Sequence, residues 1–305
     1  MSDWQLKTPV AFIIFNRPDT TERVFAEIAK ARPAKLLVIA DGPRENRHGE
    51  VEKCAAARAI VELVDWDCEV LTNFSDKNMG CRERVSSGID WVFKQVPEAI
   101  ILEDDCLPDP TFFRFCQELL EFYRDDQRIS MISGVNLQLG KRRNDDSYYF
   151  SKFGHIWGWA SWRDRWAESY DVTMAKWPLI RDGNWLPDMI GSVHEATYWH
   201  KIFERVHRGE IDTWDYQWVF ANWLEGRISV IPALNMVSNI GFAANATHTT
   251  KYSNLANLAR ASIAFPLKHP LGVFKNIQAD QFCDRNFIRI ALIKRIINWI
   301  VGWVR

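Results

Sequence analysis

The sequence predicts an α/β fold: a mostly parallel, Rossmann-like sheet flanked by helices, followed by a Trp-rich half and a C-terminal amphipathic helix. Two observations predict it. Short β-rich apolar runs alternate with segments of helical period through the first half of the chain, the pattern of a parallel sheet covered on both faces. The chain is also long enough, at 305 residues with 47% hydrophobic content, to bury a large core.

The elements follow in order. VAFIIF, residues 10–15, is the first strand. The helix NRPDTTERVFAEIAKA follows, with Asp19 and Glu22 at capping-box spacing and Val24, Phe25 and Ile28 on one face. KLLVIA (35–40) is the second strand and EVEKCAAARAIVELV the second helix. CEVLTNF is the third strand, CRERVSSGIDWVFKQV the third helix and AIIL the fourth strand. DPTFFRFCQELLEFY reads as a helix capped by Asp109 with Pro110 at its first position, and RISMISGVN as a further strand. Beyond it the alternation weakens, and that half is expected to complete the sheet and build a second substrate's site.

Composition narrows the function. The 38 Lys and Arg nearly balance the 39 Asp and Glu, so there is no basic field for a general nucleic-acid binder. The start MSDWQLKTPV lacks a basic stretch followed by an apolar core, and no uninterrupted apolar run spans a bilayer, so a cytoplasmic protein is expected. Cysteines 54, 68, 81, 106, 116 and 283 show no metal-ligand spacing and read as packing residues. The 15 Trp include a cluster between residues 157 and 223, serving core packing, sugar stacking or both.

Parallel strands direct their carboxyl ends at one rim, where open α/β sheets bind ligands. At those ends stand Asn16 and Arg17, then Asp41 to Arg44, then NMGCRER, then Glu103, Asp104 and Asp105. A buried strand that ends on adjacent carboxylates calls for a cation. Such acids commonly hold Mg²⁺ or Mn²⁺, which also grips phosphate oxygens, while nearby arginines share the charge of a diphosphate. The bland alternative is an acidic turn.

VAFIIFNRPDTTERVFAEIAKARPAKLLVIADG, VPEAIILEDDCLPDPTFFRFCQELLEFYRDDQRISMISGVN, WGWASW and TWDYQW together resemble, in order, blocks of the N-acetylglucosaminyltransferase that initiates complex N-glycan branching, and of related bacterial sugar transferases. The resemblance covers about residues 9–245 and is most specific in the E-D-D block. It implies a GT-A fold, a nucleotide-sugar donor, a divalent metal and inversion at the anomeric carbon. Residues 1–135 would form the nucleotide-sugar-binding half, 136–250 the acceptor-binding and catalytic half, and 251–305 a C-terminal helical extension. By the same resemblance Asp105 would ligate the metal, Asp104 would lie near the ribose and Glu103 near the transferred sugar. Arg17 and Asp41 would lie near the nucleotide, and Arg84 against base or phosphate, in a block that aligns only with a gap. Asp215 matches the catalytic base, a role a carboxylate can fill by taking the acceptor hydroxyl's proton. Where the family has a second acid, this chain has Tyr216. His248 is a metal or diphosphate ligand, as late histidines are in many GT-A enzymes, or a polar loop residue.

FIRIALIKRIINWIVGWVR, residues 287–305, sets Lys294, Arg295, Asn298, Gly302 and Arg305 on one helical side. It suits the inner face of an anionic membrane or packing on the domain or a second subunit. Three functions stay open: a metal-dependent inverting glycosyltransferase using a UDP-sugar and a glycan or lipid-linked acceptor in surface-polysaccharide assembly; a sugar nucleotidyltransferase; and an inactive carbohydrate-binding relative. No Gly-rich basic loop follows the first strand, which counts against the second, and Asp215 counts against the third.

Overall fold

The computed structural model describes residues 4–241 and 257–288. The first half runs β1 (Val10–Ile14), α1 (Pro18–Ala31), β2 (Lys35–Ala40), α2 (Glu50–Ala59), β3 (Glu69–Phe74), α3 (Gly80–Gln95) and β4 (Glu98–Glu103). It continues with β5 (Cys106–Pro108), α4 (Thr111–Phe122) and β6 (Ile129–Ser133). The second half adds β7 (Tyr148–Ser151), β8 (Trp159–Trp162), α5 (Arg163–Ala167), α6 (Trp177–Asp182), α7 (Leu186–Ile190), α8 (Val193–His207), α9 (Asp215–Leu224), β9 (Ile228–Pro232), β10 (Val237–Asn239) and α10 (Ile277–Cys283).

Eight strands form one sheet in the order β3-β2-β1-β4-β8-β6-β9-β7, with β5 and β10 paired apart from it. β3, β2, β1 and β4 are mutually parallel. β8 lies antiparallel between β4 and β6, and β7 antiparallel at the far edge. The sheet is therefore mostly parallel, flanked by helices, and completed by the second half as expected.

The apolar runs are continuous because both faces are covered. Along β1, Val10, Phe12 and Ile14 join the core under α1 and α4, while Ala11 and Ile13 join the core under α3. β2 and β4 divide in the same way. Each such side chain contributes about 1.5–3 kcal/mol by burial. β3, at the edge, is the exception and stays largely uncovered. A third core joins α6, α7, α8 and α9.

Two helix starts differ from expectation. Asp19 and Glu22 do not form a capping box: Pro18 already occupies the first turn, so Arg17 is the cap residue, no side chain caps it, and Asp19 lies inside the helix. α4 begins at Thr111, one residue later than Pro110, although Asp109 Oδ1 still accepts the Thr111 N–H at 2.9 Å. No helix among the described residues is long and apolar enough to cross a membrane. The amphipathic segment 287–305 lies almost wholly outside the described residues.

Candidate functional site

The site forms where β1 and β4 end side by side. β1 gives way to Phe15, Asn16 and Arg17 before Pro18 opens α1, and β4 ends on Glu103, with Asp104 and Asp105 turning into β5. The Phe15 N–H donates to Asp104 Oδ2 at 3.0 Å, tying the two strand ends together. Arg17 Nη1 lies 2.6 Å from Asp105 Oδ2 and 3.6 Å from Asp104 Oδ1. β10 returns over this pair. The Ile240 N–H donates to the Asp105 carbonyl at 2.8 Å, and Asn239 Nδ2 reaches Asp105 Oδ1 at 3.3 Å. A Cβ on Gly241 would stand 2.8 Å from Asp105 Cγ and 2.9 Å from Arg17 Nη1, so only glycine lets the chain pass this close.

The electrostatics explain why the acids need a partner. Burial pushes the Glu103 carboxyl well above the usual carboxylate range, and Asp105, Asp104 and Asp215 push the same way, against Arg17. Burial and then Asp105 raise Asp104, opposed by Arg17 and the Phe15 N–H. Burial works against the Arg17 charge, but Asp104 and Asp105 outweigh it and hold the guanidinium above its ordinary pKa. Ionising all three carboxylates together would therefore place more negative charge here than Arg17 alone offsets.

Asp215 reaches this crevice from the other half of the chain. It opens α9, half-buried, and accepts a hydrogen bond from the Thr213 hydroxyl. Its segment is held by Trp214, whose ring stacks on Trp159 at 5.8 Å and whose carbonyl accepts from the Tyr170 hydroxyl at 3.1 Å. Cys81 reports the convergence: burial, then Glu103, Asp215, Asp212 and Asp41, all push its thiol upward. Four carboxylates from three separated segments therefore act on one point of the rim.

Asp41 and Arg84 stand at the rim but turn inward. Asp41 is buried, and its carboxylate accepts Gly42 N–H (2.9 Å), Met79 N–H (2.9 Å), Gly80 N–H (3.1 Å) and Asn78 Nδ2 (3.0 Å). Burial raises its pKa while those backbone donors lower it. Arg84 is buried beneath the loop, bonding the Ala40 carbonyl at 3.2 Å and Asn73 Oδ1 at 2.9 Å. It is not brought to the crevice: its guanidinium is spent on these acceptors at the ends of β2 and β3.

Sequence reasoning missed Asp212, whose carboxylate accepts Cys81 N–H at 3.1 Å and Arg82 N–H at 2.9 Å. A second acid three residues before Asp215 was the available signal. It also missed Asn239 and Gly241, which carry no sequence signal. Glu50 was missed too: it binds Arg44 Nε at 3.0 Å and Asn16 Nδ2 at 2.9 Å, and thereby fixes the residue beside Arg17.

A hard cation fits the chemistry of the acids, which offer oxygen only. Among the described residues no three His, Cys, Asp or Glu side chains gather as a cage. A cation on Asp105 would exchange with Arg17 and draw its other ligands from diphosphate and water, the usual way Mg²⁺ is held. His248 lies outside the described residues.

No protein-family model and no curated protein matches this sequence. Solved structures with a similar chain path include the galactosyltransferase LgtC in complex with donor and acceptor sugar analogs, at 11% identity and TM-score 0.33. That match covers 57% of this chain and 64% of that one, so this chain spans less than two thirds of the galactosyltransferase. Mouse xyloside xylosyltransferase 1 is similar at 11% identity and TM-score 0.34, over 70% of this chain and 81% of that one. The 4-diphosphocytidyl-2C-methyl-D-erythritol synthase from Anaerococcus prevotii is similar at 8% identity and TM-score 0.33, over 58% and 83%.

Proposed function

We propose that the protein is a GT-A glycosyltransferase that moves a sugar from a nucleotide-diphosphate sugar, with UDP as the expected nucleotide, to a glycan or lipid-linked acceptor in surface-polysaccharide assembly. One observation carries the proposal: Arg17, Glu103, Asp104 and Asp105 meet at the ends of two adjacent parallel strands, and Asp215 from the distant half acts on the same crevice. A basic group for phosphate and an acid facing it from another segment are what group transfer from a diphosphate needs.

In this reading Arg17 and Asp104 bind the nucleotide, Glu103 faces the transferred sugar, and Asp105 holds Mn²⁺ or Mg²⁺, with His248 as a further ligand. Asp41 and Arg84 support the nucleotide side by fixing the loop between β3 and α3. The acceptor oxygen forms a bond to the anomeric carbon as its proton passes to Asp215. The carbon–oxygen bond to the diphosphate breaks, and its electron pair leaves with the diphosphate. Attack opposite the leaving group inverts the configuration. The bound cation, when present, neutralises charge on that leaving group.

A panel of nucleotide sugars, tested for hydrolysis and thermal stabilisation with Mn²⁺ and with EDTA, is the measurement. One donor should act only with metal, and Asp105→Ala should remove that dependence. Equal nucleotide affinity in EDTA would sink the metal assignment, and no active donor would sink the enzyme. We further propose that residues 287–305 bring the protein to the inner face of the membrane. Anionic liposomes that fail to co-sediment it at low salt would assign that segment a packing role.

A further inference from the structure

Between residues 157 and 223 the chain carries ten tryptophans; eight are buried, Trp157 is partly covered, and Trp185 alone is exposed, at 54%. Trp185 sits in the link between α6 and α7. Its indole lies against Gly183, where a Cβ would come 2.7 Å from Cε2, 2.8 Å from Cδ2 and 3.0 Å from Cζ2. Any side chain at 183 would push the ring away, so the glycine seats the indole and leaves the rest of it to solvent. The Trp185 N–H donates to the Ile180 carbonyl at 3.1 Å, which fixes the backbone beneath it.

The residues on either side of Trp185, Asn184 and Leu186, line an open cavity of about 430 Å³ that continues to Asp188, Thr197, His200 and Lys201. That volume is in the range of small-molecule sites, about 300–1,000 Å³. Among the described residues, the side chains of Asn184, Asp188 and Lys201 make no hydrogen bond or ion pair, so donors and acceptors surround the cavity unused. One wall is α8, whose Val193, Ala196, Thr197, His200 and Lys201 line the cavity. The same helix packs Trp199 on Trp223 at 4.8 Å and on Tyr216 at 6.0 Å, and Tyr216 follows Asp215 in α9.

We propose that Trp185 and this cavity form a saccharide subsite that holds a sugar unit of the acceptor glycan away from its reacting end. A seated indole offers its apolar face to the C–H face of a pyranose, and the unused polar groups suit hydroxyls. Asp182 pairs with Arg181 at 2.8 Å and the cavity holds both Asp188 and Lys201, so no single sign of charge selects a lipid headgroup, and a cavity with free polar groups is unlike a dry protein interface. Assignment to the acceptor rests on the glycosyltransferase reading; saccharide binding at Trp185 does not.

The test titrates gluco-, manno-, galacto- and chito-oligosaccharides into the full chain labelled with 5-fluorotryptophan, with the Trp185 resonance identified by its loss in Trp185→Phe. At least one series should shift that resonance saturably. Trp185→Ala should melt normally and weaken binding by about 3- to 10-fold, the worth of one stacked aromatic. It should raise the acceptor KM by a similar factor with a smaller effect on kcat, and Asp215→Asn should still bind the sugar. No shift with any series at about 10 mM, or binding indifferent to Trp185→Ala, overturns the proposal. A change of oligomeric state or of liposome binding in Trp185→Ala, without saccharide binding, does so as well. Saccharide binding through Trp185 in a protein that hydrolyses no nucleotide sugar would overturn the enzyme and leave the subsite standing.

Discussion

Gly241→Ala tests the geometry at Asp105 directly. The added methyl carbon would sit 2.8 Å from Asp105 Cγ and 2.9 Å from Arg17 Nη1, where non-bonded atoms settle at about 3.5–4.0 Å. Relief therefore demands a movement of roughly 0.6–1.2 Å at these two atoms, and more at Asp105 Oδ2, which lies nearest, by the carboxylate, the guanidinium or the returning chain. None of them is loose: Arg17 grips Asp105 at 2.6 Å, and the Asp105 carbonyl accepts from Ile240 at 2.8 Å. Overpacking of this kind costs about 1–3 kcal/mol of stability. Displacing Asp105 and Arg17 from where they would meet the cation and the diphosphate also forfeits a charged contact to the ligand worth about 1.5–3 kcal/mol, which is roughly 10- to 100-fold in the affinity for a diphosphate bound there. Urea unfolding measures the first effect, and calorimetric titration of UDP with Mn²⁺ the second. Wild-type values in both would show that residue 241 does not confine Asp105 and that the crevice is not built as described. A stability loss with normal UDP affinity would separate Asp105 from the nucleotide.

Asp215→Asn should keep donor affinity, since the side chain keeps its size, while turnover falls by about 10² to 10⁴; near-normal turnover, or a product that retains the anomeric configuration by NMR, removes Asp215 as base. Glu50 supplies a pH signature. Hydrogen bonds from Arg44 and Asn16, with the Arg44 charge, outweigh burial and lower its pKa from 4.5 to about 2 in the folded protein. A depressed folded pKa means stability that is complete above the unfolded value and lost as pH falls from about 4.5 toward 2. With Arg44 38% exposed, solvent screening trims that contribution to about 1–2 kcal/mol. The gap in urea midpoint between wild type and Glu50→Gln should therefore close as pH drops from about 6 to about 3, and a constant gap would refute the clamp.

β1, β2 and β4 were legible as continuous apolar runs because α1 and α4 cover one face and α3 the other, and their expected limits hold within a residue or so. β3 was legible too, from the strand-favouring residues of EVLTNF, although it lies largely uncovered at the edge. β5, β7, β8 and β10 were illegible because each is three or four residues long and owes its place to partners far along the chain. β8 pairs with β4 across some sixty residues, and nothing in WASW announces it. The capping box failed because a proline at the first turn outranks an acid at the second. For the site, strand ends located Arg17, Asp41 and the E-D-D run at one rim, since topology alone decides that. Which way each side chain turns depends on unsatisfied donors nearby, so Asp41 turning to the amides of Met79 and Gly80 was not readable.

Those amides separate two kinds of carboxylate at the same rim. The first free N–H groups at the start of α3 come in sequence from residues 79 to 82, and Asp41 takes the first two while Asp212 takes the next two. Asp41 comes from the end of β2 and Asp212 from the segment leading to Asp215, so the helix start is gripped by both halves of the chain. Asp41 and Asp212 spend their oxygens mainly on backbone donors, and Glu50 its own on the side chains of Arg44 and Asn16. Glu103, Asp104 and Asp105 differ, since the Arg17 guanidinium, the Phe15 amide and the Asn239 amide are set against burial and mutual repulsion that raise Glu103 and Asp104. A fold can hold such a cluster only at a cost in stability, and that cost is recovered when a positive group binds. The first kind makes the rim rigid and places Asp215; the second kind leaves the rim with carboxyls whose joint ionisation a positive partner would favour. Rigidity in one set is what allows the carboxyls of the other to select a ligand rather than relax away.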